Sequence, residues 1–216
     1  MISTNDHLRI LGISGSLRRG SYNTALLRTA AELAPNGVTV EIFDLKGIPM
    51  FDPDEEAAGG FPDRVAALRD AIDSADGLLI ATPEYNYSVT AALKNAIDWS
   101  SRGGDRSPLN RKPAAILGAG GRFGTLRSQL HLREILLHNE VRLVASPQVM
   151  IDRAAGKFDD SLRLADPRHR DQLARLLEAL TDLIGLTDGS GRFGRHGAGS
   201  LVQDRGLLRT APQSLS

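Results

Sequence analysis

The sequence predicts an α/β protein built on a five-stranded, doubly wound parallel sheet with helices on both faces. Two observations carry this. Apolar, β-branched runs alternate with helical patterns five times along the 216-residue chain. Strict βα alternation calls for crossover helices and hence parallel strands. The run GLLIAT, residues 77–82, is apolar without alternating, as in a strand covered on both faces.

The elements follow in order. LRILGI (8–13) is the first strand, and NTALLRTAAELA, dense in Ala and Leu, is the first helix. VTVEIF (38–43) follows, then a Pro/Gly/Asp-rich loop from Gly47 to Gly60, then the helix DRVAALRDAIDSA. GLLIAT precedes TAALKNAIDWSS, and AAILGA (114–119) precedes TLRSQLHLREILLHN. VRLVASPQVM (141–150) is the fifth strand and RHRDQLARLLEALTDLI the last helix. Five such units suit a flavodoxin-like sheet of order 2-1-3-4-5, whereas a (β/α)8 barrel needs eight units and ~250 residues. Residues 1–185 form one domain in this reading. Residues 186–216 are rich in Gly and Ser without periodicity and read as a mobile C-terminal tail.

Composition narrows the function. With 26 basic and 26 acidic residues the net charge is zero, which speaks against a broad nucleic-acid-binding surface. There is no cysteine, so disulfides, thiol catalysis and cysteine-ligated metals are excluded. No apolar run approaches the ~18 residues of a membrane span. The N-terminal stretch MISTNDHLRI lacks the basic start and apolar core of a secretory signal. A cytoplasmic protein is expected.

In a doubly wound sheet, ligands sit at the carboxyl ends of the strands near the switch in strand order. The loop after strand 1, SGSLRRGSYNT, lacks the Gly-Lys-Ser/Thr ending of a Walker loop and the spacing of a dinucleotide fingerprint. What it offers is hydroxyls at Ser14, Ser16, Ser21 and Thr24, an amide at Asn23 and a guanidinium at Arg18. Together with a helix N-terminus these suit a terminal monophosphate ester; the plain alternative is a capped polar turn. The loop after strand 3 begins TPEYNYSVT, and Glu84, Tyr85, Asn86 and Tyr87 cannot all be buried there. A planar heteroaromatic ring fits beside them, and so does an ordinary capped turn. The loop after strand 4, GAGGRFGT (118–125), lets backbone approach a ligand closely, as a merely flexible loop also would.

The stretches GSLRRGSYNTAL, PEYNYSVTAALKNAIDW and GAGGRFGTLRSQLHLREIL together resemble the NADPH-dependent FMN reductase family, over roughly residues 8 to 180. The resemblance implies a flavodoxin-like fold, bound FMN, NADPH or NADH as reductant, and assembly as homodimers or homotetramers. It implies small-molecule acceptors: quinones, flavins, azo dyes or metal oxyanions. By match to the family's motifs, Ser16, Arg18, Ser21, Asn23 and Thr24 hold the FMN phosphate. Pro83, Glu84, Tyr85 and Asn86 line the isoalloxazine, and Gly118, Ala119, Gly120 and Gly121 close the third side. Hydride then moves from nicotinamide to flavin and on to the acceptor, with no protein acid or base named. The alternatives are a non-catalytic flavodoxin-like electron carrier, which is usually more acidic, and a flavin-binding sensor.

Further expectations follow from the residues. The basic stretch RGGDRSPLNRK (102–112) is placed on the ligand side of the sheet, where Arg102 could meet the 2′-phosphate of NADPH. The helix carrying Leu126, Leu130, Leu132, Ile135, Leu136 and Leu137 is apolar over more than one face, and with Trp99 beside it suggests a subunit interface. His131, Glu134 and His138 share a helix without a third metal ligand, and FDPDEE reads as a solvated loop.

Overall fold

A computed structural model describes residues 7–187. Of the expected tail, 186–216, only Leu186 and Thr187 fall within the described residues.

The strands are β1 (Leu8–Ser14), β2 (Val38–Phe43), β3 (Gly77–Ala81), β4 (Pro113–Ala119), β5 (Arg142–Leu143) and β6 (Val149–Ile151). The α-helices are α1 (Tyr22–Glu32), α2 (Pro53–Gly59), α3 (Asp63–Ser74), α4 (Ala91–Ser100), α5 (Leu126–Leu136) and α6 (Pro167–Thr187). The sheet runs β2-β1-β3-β4-β5 with every pairing parallel, the flavodoxin-like order the sequence predicts.

Two elements differ from expectation. The fifth strand position is shared by two short strands: β5 pairs with Pro113–Ala114 and β6 with Leu117–Ala119, both on the outer edge of β4. Between them lies Ser146–Pro147. Proline has no N–H to give the ladder, so the run 141–150 breaks in its middle. The loop between β2 and α3 contains helix α2. Asp52 caps it by accepting from Asp54 N at 2.8 Å, Pro53 opens it, and Asp54, Glu55 and Glu56 crowd its positive end.

Side chains alternate across the sheet and build two cores. Ile10, Leu79, Ala81, Ala115 and Leu117 pack under α1 and α6. Leu11, Ile13, Leu78, Ile80, Ala114 and Ile116 pack under α3, α4 and α5. Ile184 near the end of α6 is fully buried. At its start, Asp166 accepts from His169 N at 3.0 Å and from Lys157 Nζ at 2.9 Å, contacts that hold its carboxyl well below the usual range.

Trp99 is also fully buried: it donates to Pro49 O at 2.9 Å and meets the Phe51 ring edge-on at 4.9 Å. It is therefore not part of an exposed subunit surface, contrary to expectation. The chain leaves β1 toward β2 on one side and continues from β3 on the other, so a crevice opens at the carboxyl ends of β1 and β3.

Candidate functional site

Three loops meet at that crevice. Gly15 locks the first to the second: its N–H donates to Ala81 O at 2.9 Å, and its carbonyl accepts from Thr90 Oγ1 at 2.6 Å. A Cβ at Gly15 would sit 2.9 Å from Pro83 Cδ, so only glycine allows this approach. Thr90 also caps α4 through Leu93 N at 3.2 Å.

Beyond Gly15 the loop turns toward α1. Ser14 Oγ accepts from Thr24 Oγ1 at 2.9 Å and from Ser16 N at 3.3 Å. Ser16 Oγ accepts from Arg18 N at 3.4 Å, and Arg18 Nη2 donates to Gly20 O at 2.7 Å. Ser21 caps α1 by accepting from Thr24 N at 3.2 Å. The peptide N–H groups of Arg19, Gly20, Tyr22 and Asn23 meet no acceptor among the described residues. Ser14, Ser16, Arg18 and Thr24 line a cleft of about 370 Å3. Two of these donors open a helix and two lie in the turn before it; beside hydroxyls and a guanidinium they suit an anion with several oxygens.

Asn23 has another task. Its Nδ2 donates to Ala119 O at 2.9 Å and its Oδ1 accepts from Ala119 N at 3.0 Å, ninety-six residues along the chain. It is 4% exposed. The amide side chain thus clamps the end of β4 to the start of α1, while the Asn23 backbone N–H meets no acceptor among the described residues. Ser21, also buried, serves through its cap.

The loop after β3 is a tight hairpin. Tyr85 and Ser88 exchange backbone hydrogen bonds at 3.1 and 3.0 Å, with Asn86 at φ 52° and Tyr87 at φ 65°. Two left-handed residues make this a type I′ turn, and a tyrosine there is held against its own preference. Tyr85 and Tyr87 stand more than half exposed at its tip. Pro83 is buried. The Glu84 carboxylate faces away from the crevice toward α5, accepting from Arg127 N at 2.9 Å and Ser128 N at 3.3 Å and pairing with Arg127 Nη1 at 3.3 Å. It caps the helix that Thr125 leaves uncapped.

In the glycine loop, Gly118 and Ala119 are buried, whereas Gly120 and Gly121 reach the surface. A Cβ at Gly118 would strike Thr125 Oγ1 and lie 2.6 Å from Thr82 O. Gly121 and Gly124 close a small turn. Beside it Arg127 lies over the rings of Tyr87 and Phe123, at 4.3 and 5.0 Å from their centroids. The structure thus brings Ser16, Arg18, Thr24, Tyr85, Asn86, Gly120 and Gly121 to the accessible edge, and it uses Ser21, Asn23, Pro83, Gly118 and Ala119 to set that edge.

Arg102 is a correction. It follows α4, whose ten residues span ~15 Å away from Thr90. Its loop closes on the segment before β5, where Arg111 N donates to Asn139 O at 2.9 Å and Arg142 N to Lys112 O at 3.1 Å. That is the amino end of the sheet, opposite the crevice. Arg102 pairs with Glu56 at 3.5 Å and covers Phe51. Four cleft residues lie outside the expected set: Arg19, Arg28, Asp44 and Lys46. Arg28 was legible by spacing, one helical turn after Thr24.

Residues 8–156 match the family described as NADPH-dependent FMN reductase. An NAD(P)H-dependent FMN reductase of Pseudomonas aeruginosa is 50% identical over 177 residues, covering 82% of this chain and 95% of that protein. A quinone reductase of Escherichia coli is 38% identical over 183 residues, covering 83% and 97%. Among solved structures, the flavoenzyme NAD(P)H:(acceptor) oxidoreductase of Paracoccus denitrificans superposes with a TM-score of 0.73 at 28% identity, covering 83% of this chain and 98% of that one.

Proposed function

Because this chain belongs to the NADPH-dependent FMN reductase family, we propose that the crevice where the three loops meet is its flavin site. The chain is an FMN-dependent NAD(P)H oxidoreductase: hydride passes from NAD(P)H to bound flavin, and the electrons pass on to a small acceptor such as a quinone. The protein's part is to bind, orient and exclude water.

In the proposal, Ser16, Arg18, Thr24 and the free N–H groups opening α1 take the phosphate. Tyr85, Asn86, the Glu84 backbone and the Gly120–Gly121 backbone border the ring. Ser21, Asn23, Pro83, Gly118 and Ala119 hold these groups in place from behind. The N–H groups of Gly20, Tyr22 and Asn23, which belong to buried or half-buried residues and meet no acceptor among the described residues, are the observation that carries the reading, since such groups need an acceptor. The test is aerobic NADPH oxidation by the purified yellow protein with and without a quinone. Turnover stimulated by quinone supports the enzyme; flavin without turnover would indicate a carrier or sensor.

Assembly is the second part of the proposal. Leu126, Leu130 and Leu137 are 41, 55 and 70% exposed on one face of α5 and its extension, next to exposed Phe123 and Tyr87. Leu132 and Leu136 on the opposite face are buried in the core. This stripe forms the contact of a homodimer, or of a homotetramer built from it. Light scattering at micromolar concentration tests it, and a monomer mass refutes it. No helix among the described residues is long and apolar enough to cross a membrane. The proposal places the enzyme in the cytoplasm, with its pool of reduced nicotinamide nucleotides.

A further inference from the structure

The cleft beside the start of α1 is larger and more basic than one phosphate requires. Its volume, about 370 Å3, would hold roughly a dozen waters. It is lined by Arg18, Arg19, Arg28 and Lys46, against the single carboxylate of Asp44. The side chains of Arg19, Arg28 and Lys46 have no hydrogen-bond or ion-pair partner among the described residues. A phosphate monoester carries about −1.5 to −2 near neutral pH, so Arg18 and the helix N-terminus already answer the flavin's phosphate.

The surplus charge has a direction. Arg28 lies one turn beyond Thr24 on α1, and Lys46 arrives on the chain leaving β2. Strand β2 flanks β1 on the side away from β3 and β4. The unpaired cations therefore extend the site past the phosphate cradle, away from the loops that border the ring. Exposed Leu17 and Ile42 add an apolar shelf, with Phe43 and Leu45 in the same lining.

Building on the reading of the crevice as the flavin site, we propose that this cleft receives the 2′-phosphoadenosine end of NADPH, with Arg28 and Lys46 as the residues that select NADPH over NADH. A nucleotide whose nicotinamide end met the ring would bring its adenosine end here if it ran toward the cradle. The adenine then lies on the apolar shelf. The 2′-phosphate, which NADH lacks, meets the side chains of Arg28 and Lys46, which have no partner among the described residues. Charge-assisted contacts to guanidinium and ammonium groups give the discrimination.

The experiment uses the FMN-loaded protein and its Arg28→Ala/Lys46→Ala double variant. Calorimetric titration with 2′-AMP and 5′-AMP reads the subsite without turnover. The wild type should bind 2′-AMP at least about tenfold tighter than 5′-AMP, and the variant should lose that preference. In steady state, the variant should raise KM for NADPH about tenfold or more while kcat/KM for NADH changes less than about twofold. The NADPH effect should shrink as salt rises. Equal preference for 2′-AMP and 5′-AMP by the wild type overturns the inference, as does an equal loss with both nucleotides. A fall in flavin retention by the variant also overturns it, by making Arg28 and Lys46 part of the cofactor cradle. A wild type that oxidises neither nucleotide defeats the functional reading, whereas a wild type active with both and a variant unchanged with NADPH defeats only this inference.

Discussion

The loop after β1 and the loops after β3 and β4 face the same crevice, but they are built differently. In the first, peptide N–H groups at the start of α1 stand beside the Arg18 guanidinium and a hydroxyl pair that line a cleft. In the others, side chains and close-packed glycines brace the backbone. Glu84 caps α5, Thr125 fills the space over Gly118, and Ala119 is held on both sides by Asn23. A charged phosphate needs free donors, whereas a flat ring needs a rigid wall at a fixed spacing. The contrast matches the two ends of one ligand, and substitutions should separate binding from scaffolding along this line.

The largest effect should come from the wall. Gly118→Ala forces a methyl group into Thr125 and to 2.6 Å from the Thr82 carbonyl, where backbone has to move. Overpacking of this kind costs ~1–3 kcal/mol or more. The expected result is a sharply lowered Tm with flavin lost as a consequence, read by thermal melts of apo and holo protein.

Asn23→Ala is next. It leaves the buried Ala119 N–H and carbonyl without partners, and unsatisfied buried groups cost ~1–3 kcal/mol each. Denaturant unfolding of the apo-protein should show a loss of about 2–5 kcal/mol. An unchanged midpoint with weakened FMN binding would instead make Asn23 a direct ligand and erase the division drawn here.

Glu84→Gln should be the mildest. The amide still accepts from Arg127 N and Ser128 N, but the charge at the α5 N-terminus and the pair with Arg127 are lost. A loss of about 0.5–1 kcal/mol is expected, with FMN affinity nearly unchanged. A large drop in flavin affinity would place the carboxylate in the ring site.

The sequence and the structure part company in instructive places. Strand order was legible because βα alternation admits few topologies and buried parallel strands are apolar throughout. The polar character of the first loop was legible because its hydroxyls and arginine are neighbours in the chain. Asn23 was not, because its partner lies ninety-six residues away and only the folded sheet brings them together. Arg102 was misplaced because the length of α4, not the loop that precedes it, decides which end of the sheet it reaches. Helix α2 was readable in principle: Asp52, Pro53 and three acids form a helix start, yet the same composition also describes a solvated loop. The broken edge strand was marked by Pro147 in mid-run.

The central claim is that the first loop holds the phosphate while the loops after β3 and β4 hold the ring. Fluorescence titration of apo-protein with FMN and with riboflavin, in the wild type and in Arg18→Ala, tests it most directly. Losing a charge-assisted contact worth ~1.5–3 kcal/mol should weaken FMN binding about ten- to a hundredfold and leave riboflavin binding unchanged. Equal weakening of both ligands, or FMN affinity that does not move, would contradict the account.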